Sequence, residues 1–150
     1  MAHEIRRPIA AVDLLIEDSD GRILLGRLAA QWSEDGAYEW GLPGREVAFG
    51  EDLLAAVDRN LDEELGVARV SARAVCVNSN FALGNHYITV GVVVSVKGEI
   101  ANRKPTDWTA WEWFAPARIP DRLFPAAGKT LSAYLQGCVS RDFPVAPSAG

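Results

Sequence analysis

The chain has 150 residues, enough for one domain with one substantial core. Hydrophobic residues make up 49% of it and charged residues 23%, as in ordinary globular proteins, and no apolar run approaches the ~20 residues of a membrane span. The net charge of -5 argues against a broad nucleic-acid-binding face, because no excess of basic side chains would offset phosphate repulsion.

The histidines and cysteines limit the chemistry further. His3 and His86 are the only histidines, and their spacing matches neither a zinc site nor a Ser-His-Asp triad. Cys76 and Cys138 are too few for a disulfide framework and lie in apolar surroundings, so we interpret both as packing residues. This cysteine usage, together with an N-terminus without the apolar core of a signal peptide, predicts a cytoplasmic protein with no membrane partner.

Strand and helix patterns alternate along the chain. Residues 8–18 predict a strand, and residues 22–28 its partner in a buried hairpin. After a loop that ends at Pro43-Gly44, residues 51–65 predict a helix that stops at Gly66. Three more strands are predicted over 68–83, 86–96 and 109–114, and a closing helix over 124–137. This order predicts an α/β fold, an α/β/α sandwich around a mixed sheet, in a single domain of residues 1–150 with flexible ends at 1–7 and 144–150.

The first helix carries acids beside its apolar stripe. That stripe is formed by Leu53, Leu54, Val57, Leu61 and Leu65. At about 100° per residue, Glu64 falls at the edge of the stripe with Asn60 beside it. An unpaired buried carboxylate costs several kcal/mol, so a cation or strong donor must meet Glu64. Either Arg59 satisfies Glu63 and Glu64 at an exposed helix end, or the two acids hold a hard divalent cation. Glu51 is either a favourable anion at the helix N-terminus or a third acid near the same point.

Residues 42–67, "LPGREVAFGEDLLAAVDRNLDEELGV", resemble the Nudix box, G-x5-E-x7-R-E-U-x-E-E-x-G-U, where U is bulky and apolar. The matching positions are Glu51, Arg59, Leu61, Glu63, Glu64, Gly66 and Val67. The preceding "WGLPG" and the later strands are also similar, so the resemblance covers residues 8–136. It implies a Nudix-type sandwich and a MutT-like hydrolase that uses Mg²⁺ or Mn²⁺ to cleave a nucleoside diphosphate-linked or nucleoside triphosphate substrate, a pyrophosphatase activity.

The resemblance also implies roles for individual residues. The implied metal ligands are Gly44, through its carbonyl, Glu51, Glu63 and Glu64. The implied catalytic set is Glu51, Arg59, Asn60, Glu63 and Glu64, with Arg59 orienting the acids. Arg27 and Arg45 are candidates for phosphate contacts, and Trp40 and Trp108 for stacking on a planar group. An exposed strand end for Arg27 and simple packing for the tryptophans remain alternatives.

Two positions depart from the motif. Arg45 stands where the box has its first Gly, and Asn60 stands where it has the Glu that follows the Arg. An amide brings no charge and accepts no proton usefully, so Asn60 predicts an atypical or weakened catalytic site. Two other functions stay open: hydrolysis at a sugar carbon of a nucleotide sugar, as in Nudix-related GDP-mannose hydrolases, and ligand sensing without catalysis. The expected partner is a small nucleotide or diphosphate rather than a nucleic acid, and a homodimer is kept as an alternative to a monomer.

Overall fold

The computed structural model describes residues 6–137, so the predictions for His3, Cys138 and the tail at 144–150 lie outside the described residues. Within that range there are six strands and two α-helices. The strands are β1 (Ile9–Ile16), β2 (Ile23–Leu28), β3 (Trp40–Gly41), β4 (Ala68–Ala82), β5 (Asn85–Lys97) and β6 (Trp108–Phe114). The helices are α1 (Leu53–Leu65) and α2 (Pro125–Gln136), and two short 3-10 helices span Ala30–Trp32 and Pro116–Arg118.

The strands form two three-stranded sheets. One has the order β1-β5-β4, with β1 parallel to β5 and β4 antiparallel to β5. The other has the order β3-β2-β6 and is antiparallel. The predicted pairing of the first two strands as a hairpin is therefore wrong, since β1 and β2 share only the bridge between Glu17 and Ile23 beside their turn. An apolar run shows that a strand is buried, but many strands could satisfy its hydrogen bonds, so it does not identify the partner.

Helix α1 begins two residues later than predicted and buries a shorter stripe. Asp52 is its N-cap, and the Asp52 carboxylate accepts a hydrogen bond from the Ala55 backbone N–H at 2.8 Å. The helix ends at Gly66, as predicted. Leu53 and Leu54 are each 48% exposed, so their predicted burial is wrong. Burial starts at Ala56, because helical spacing gives the direction of a side chain but not the point at which the neighbouring strands begin to cover it.

The helices pack on opposite sides of the strands, which confirms the α/β/α sandwich. One core cluster joins Val12, Leu14 and Ile16 of β1 to α1 residues such as Leu61 and Leu65. The other joins Leu15 of β1 to Leu131 and other residues of α2. Trp111 and Trp113 both pack against the α1 cluster, which confirms that they share a face. None of the helices over residues 6–137 is long and apolar enough to cross a membrane.

Candidate metal and substrate site

Arg59 gathers two of the predicted acids on the exposed side of α1. Its Nε and Nη2 donate to the two carboxylate oxygens of Glu51 at 2.7 and 2.9 Å, and its Nη1 donates to Glu63 at 3.2 Å. Nη2 also donates to the Glu46 carbonyl at 2.9 Å. The hydrogen bonds from Arg59 lower the pKa of Glu51 to about 2. Lys104 Nζ lies 3.5 Å from Glu63, so both carboxylates have basic partners.

Glu64 lies in different surroundings. It is fully buried, and its Oε2 accepts a hydrogen bond of 3.3 Å from the Gly44 backbone N–H. Its Oε1 has no hydrogen-bond partner and lies 3.8 Å from Arg45 Nε. Burial raises the pKa of Glu64 to about 7, although the Gly44 hydrogen bond and the charges of Arg45 and Lys104 oppose that rise. Arg59 therefore donates a hydrogen bond to Glu63 but not to Glu64, whose Oε1 accepts none.

Gly44 is required where the loop crosses β1. Its φ is +115°, and a Cβ at this position would lie 2.2 Å from the Val12 carbonyl oxygen. The residues on either side bond to β1, since Leu14 N–H donates to Pro43 O at 2.7 Å and Val12 N–H donates to Arg45 O at 3.0 Å. This close approach holds the Gly44 N–H against Glu64.

Arg45 is held by an aromatic ring and an acid. Its guanidinium carbon lies 4.0 Å from the centroid of the Trp32 ring, and its Nη2 lies 3.2 Å from Asp107 Oδ2. The Trp32 indole N–H donates to Asp107 Oδ1 at 3.1 Å, which ties the three side chains together. The arginine that replaces the motif's glycine thus brings a fixed positive charge to the edge of Glu64.

The Asn60 side-chain amide donates a hydrogen bond within its own helix. It is 1% exposed, and its Nδ2 donates to the Ala56 carbonyl at 2.8 Å. A glutamate cannot make this bond because a carboxylate has no proton to donate. The departure from the motif is thus part of the packing of α1, and the position supplies no negative charge.

A cavity opens between β1 and α2, beside Arg45. Its wall contains the aromatic side chains of Trp32, Tyr87, Trp108 and Phe124, and its polar lining includes Asp13 and Thr89. Trp108, one of the two predicted stacking residues, lines the cavity. It is 3% exposed, and its indole N–H has no hydrogen-bond partner. Stacking on a ligand stays a prediction for Trp108.

The two remaining predicted substrate residues lie elsewhere. Trp40 is buried in the α2 core cluster, where its ring meets Phe114 edge-on at 5.0 Å, and it does not line the cavity. Packing, the alternative kept for Trp40, accounts for its position. Arg27 is largely exposed on β2, 3.4 Å from Glu39, so a phosphate contact at Arg27 stays a prediction.

Two polar cavity residues were missed by the sequence interpretation. Asp13 is a single acid within the apolar strand "IAAVDLLI", and it is 8% exposed. Thr89, on β5, is 1% exposed. A lone charge in an otherwise buried strand was a usable signal for Asp13, because such a charge needs a partner or a function. Thr89 gave no comparable signal, since threonine is common in strands.

The site fits a divalent cation that is coordinated partly by the protein and partly by the phosphates of a bound substrate. Over residues 6–137, no three acids, histidines or cysteines converge in a way that could hold a metal ion by themselves. Mg²⁺, however, is usually bound by one or two carboxylates with water and substrate phosphates rather than by a cage of protein ligands. The buried Oε1 of Glu64 accepts no hydrogen bond and has only Arg45 Nε, at 3.8 Å, beside it, so it is the kind of oxygen that such a cation takes. The assignment of Gly44, Glu51 and Glu63 as further ligands stays a prediction.

Comparison with known proteins identifies the family. The profile of the NUDIX domain matches residues 7–134. The crystal structure of a MutT NUDIX hydrolase from Burkholderia pseudomallei is 31% identical with a TM-score of 0.74, over 85% of this chain and 98% of that one. An RNA pyrophosphohydrolase of Rhizobium meliloti (strain 1021) is 29% identical over 138 residues, which cover 76% of this chain and 83% of that protein. The RNA pyrophosphohydrolase of Acidiphilium cryptum (strain JF-5) is 46% identical over 50 residues, and the match spans 33% of this chain and 30% of that protein.

The chain therefore belongs to the NUDIX family. It is a hydrolase of the class that acts on phosphoanhydride bonds, and this class generally uses divalent metal ions.

Proposed function

We propose that the protein hydrolyses a phosphoanhydride bond in a nucleoside triphosphate or a nucleoside diphosphate derivative, with Mg²⁺ or Mn²⁺. The observation that carries the proposal is the buried Glu64 carboxylate, whose Oε1 has no hydrogen-bond partner and faces a cationic side chain. An oxygen left in this state costs free energy, which a bound cation would offset. Aromatic side chains form the wall of the adjoining cavity, and we expect them to stack on the planar part of a nucleotide.

Each residue has a distinct task in this proposal. Glu64 holds the cation, with Glu63 as a second carboxylate and the Gly44 carbonyl as a neutral ligand. Arg59 keeps Glu51 and Glu63 in place through its hydrogen bonds. Arg45, oriented by Trp32 and Asp107, contacts a phosphate oxygen. When bound, the cation neutralises the charge that develops on the phosphates and lowers the pKa of a bound water.

The proposed site lacks the carboxylate that the box normally has at position 60. Asn60 cannot take a proton from water, and its Nδ2 is engaged with Ala56. The activity is therefore expected to be weaker than that of a site with a glutamate there, since a general base typically contributes about 10²- to 10⁴-fold in rate.

The test is a panel of nucleoside triphosphates, dinucleoside polyphosphates and nucleotide sugars, incubated with saturating Mg²⁺ or Mn²⁺ in ¹⁸O-labelled water. Phosphate and pyrophosphate release are measured, and products are analysed by mass spectrometry. We expect turnover with the label in a phosphate product. Glu64→Gln should lose most of it, whereas Glu112→Gln, at an exposed position on β6, should behave like the wild type. A wild type that binds nucleotides but turns none over would contradict the hydrolase proposal and favour ligand sensing.

The same panel separates two further candidates. Label found in the sugar product means attack at carbon, the reaction of the nucleotide-sugar alternative. A 5′-triphosphorylated RNA oligonucleotide belongs in the panel because two relatives are named RNA pyrophosphohydrolase. Preference for that oligonucleotide over all free nucleotides would replace the small-molecule substrate proposed here.

A further inference from the structure

Arg45 lies between two carboxylates at the edge of the proposed metal site. Its Nε lies 3.8 Å from Glu64 Oε1, and its Nη2 lies 3.2 Å from Asp107 Oδ2. The contact with Glu64 is too long for a hydrogen bond, so Arg45 compensates the charge of this carboxylate without occupying its oxygen. A guanidinium group therefore lies beside the same oxygen that the proposed function assigns to a divalent ion.

A divalent ion on Glu64 would have Arg45 as a close neighbour of like charge. Mg²⁺ binds oxygen at about 2.0–2.1 Å, so an ion on Glu64 Oε1 would lie within about 6 Å of Arg45 Nε. Glu64 is fully buried, and charges in such a place are screened only weakly by water and salt. The repulsion between the two cations lowers the affinity of the free protein for the ion.

Both departures from the Nudix box make this part of the site more positive. Arg45 adds a positive charge where the box has glycine, and Asn60 removes a negative charge where the box has glutamate. Asn60 is buried on α1, four residues before Glu64. Over residues 6–137, no three acids, histidines or cysteines are grouped so that they could hold a metal ion. The protein by itself thus offers a divalent ion less negative charge than the box normally does.

Arg45 does not depend on Glu64 for its position. Its guanidinium carbon lies 4.0 Å from the centroid of the Trp32 ring, and its distance to Asp107 is shorter than its distance to Glu64. Its backbone oxygen accepts from the Val12 N–H at 3.0 Å. Its side chain is 23% exposed and lines the cavity beside the site. The guanidinium can therefore exchange Glu64 for a phosphate oxygen while Trp32 and Asp107 still hold it.

We propose that Arg45 is a resident counter-cation of Glu64 that competes with the divalent ion, so that the site takes up the ion together with a diphosphate group and not before it. This inference rests on the proposed function, because it concerns the same ion and the same phosphates. A diphosphate brings negative charge that attracts both the ion and Arg45, so its arrival offsets the repulsion between these two cations. By linkage, the ion and the diphosphate then each strengthen the binding of the other.

The test measures two affinities of each protein by titration calorimetry. One is for Mn²⁺ alone, and the other is for the preformed complex of Mn²⁺ with methylenediphosphonate, whose P–C–P bridge is not hydrolysed. The wild type should bind the complex at least about tenfold more tightly than the bare ion, the effect that one charge at ~4–6 Å typically has on a neighbouring ionisation. Arg45→Met keeps an unbranched side chain against Trp32 but removes the charge. It should bind the bare ion at least about tenfold more tightly than the wild type does, and the complex at least about tenfold more weakly.

Three further variants assign these changes to the charge of Arg45 and to this site. Arg45→Lys keeps the charge, so its affinity for the bare ion should stay within about twofold of the wild type. Arg118→Met, at an exposed arginine, should match the wild type in both measurements. The double variant Arg45→Met/Glu64→Gln should lose the gain in affinity for the bare ion, because the carboxylate that binds the ion is absent.

The directions of the two changes in Arg45→Met decide the inference. A merely structural defect would weaken both affinities, so any pattern other than a gain for the bare ion with a loss for the complex overturns it, as does a gain that survives Glu64→Gln. A wild type that binds the bare ion as tightly as the complex overturns it even if no variant folds. Neither affinity depends on turnover, so the expected pattern without hydrolysis of any nucleotide would overturn the hydrolase proposal alone. Turnover without the expected pattern would overturn only this inference.

Discussion

The acids within α1 and just before it have opposite environments although they belong to one sequence motif. Glu51 and Glu63 are bound by Arg59 at the surface, and the Arg59 hydrogen bonds hold the pKa of Glu51 at about 2. Glu64, one residue from Glu63, is fully buried, and burial raises its pKa to about 7. Adjacent residues on a helix point about 100° apart, which is enough to place one in water and the next in the core.

This difference separates a structural role from a binding role. Glu51, whose two oxygens both accept from Arg59, has its charge compensated within the protein, so it can hold the loop before α1 to the helix without a ligand. Glu64 and Asp13 each have a buried oxygen without a hydrogen-bond partner, and both have a raised pKa. Such atoms are costly in the free protein, and the cost falls when a cation or a hydrogen-bonding ligand arrives. We therefore expect ligand binding on the buried side.

Asn60→Glu gives the largest expected effect, because it adds a second carboxylate beside the buried Glu64. The new side chain and Glu64 lie four residues apart on one helix face, where both can approach one cation. If Asn60 is the main defect of the site, turnover on the best substrate should rise by about 10²- to 10⁴-fold, the usual contribution of a general base. The measurement is pyrophosphatase turnover across the substrate panel at saturating Mg²⁺.

Asn60→Gln is the matched control, since it has the length of glutamate without the charge, and it should show no gain. Without metal, Asn60→Glu should unfold at a lower temperature than the wild type, because it loses the bond to Ala56 and places a like charge beside Glu64. Absence of any gain in turnover would show that Asn60 is not the limiting defect and would move the interpretation towards a non-hydrolytic function.

Asp13→Asn should change how stability depends on pH. The pKa of Asp13 is about 8 in the folded protein and close to 3.8 when unfolded. The folded state thus binds the proton more tightly, and stability falls as pH rises from about 4 to about 8. The asparagine variant lacks this titration, so its stability relative to the wild type should increase with pH, by up to about 1.4 kcal/mol per pH unit. Urea unfolding of both proteins at pH 5, 6.5 and 8 measures the difference, and a constant difference would contradict the burial of an uncompensated acid.

Arg59→Met should change the pH dependence of stability below about pH 4.5, and its effect should be smaller than that of Asp13→Asn. The pKa of Glu51 is about 2 in the folded protein, below its ordinary value of 4.5. Its contribution to stability is therefore complete above about pH 4.5 and is lost as pH falls towards 2. Removal of Arg59 should lower the melting temperature by a few degrees near pH 7 and much less near pH 2. Arg118→Met, at an exposed arginine, serves as the control, and equal losses at both pH values would show that the Arg59 pairs carry no stability.

The sequence predicted the helices and strands well because each leaves a local signal. Gly66 marked the end of α1, and the spacing of Leu61 and Leu65 gave its buried side correctly. The burial of Glu64 also followed from its angle to that stripe. The pairing of β1 with β5 could not be predicted, because it joins segments more than 70 residues apart and depends on which apolar strands fit together. The exposure of Leu53 likewise depends on how far the sheet extends beneath the helix.

Parts of the site were beyond sequence reasoning for similar reasons. The motif showed that Arg45 departs from the usual glycine, but the contacts of Arg45 with Trp32 and Asp107 bring together three separate segments of the chain. The hydrogen bonds that join Asn80, Asn78 and Thr130 connect β4 to α2, so no single segment reveals them. Asp13 alone carried a readable signal, as the one charge in a buried strand.

Binding of a divalent cation by Glu64 is the property on which the proposed function depends most directly. Calorimetric melting of the wild type, Glu64→Gln and Glu112→Gln with and without Mg²⁺ or Mn²⁺ measures it. At a free concentration about 100 times its dissociation constant, a ligand specific to the folded state stabilises it by about 2.7 kcal/mol, which is several degrees for a protein of this size. We predict that rise for the wild type and for Glu112→Gln, and its near-complete loss in Glu64→Gln. An equal rise in all three proteins would place the cation elsewhere, and no rise in any of them would contradict the metal site.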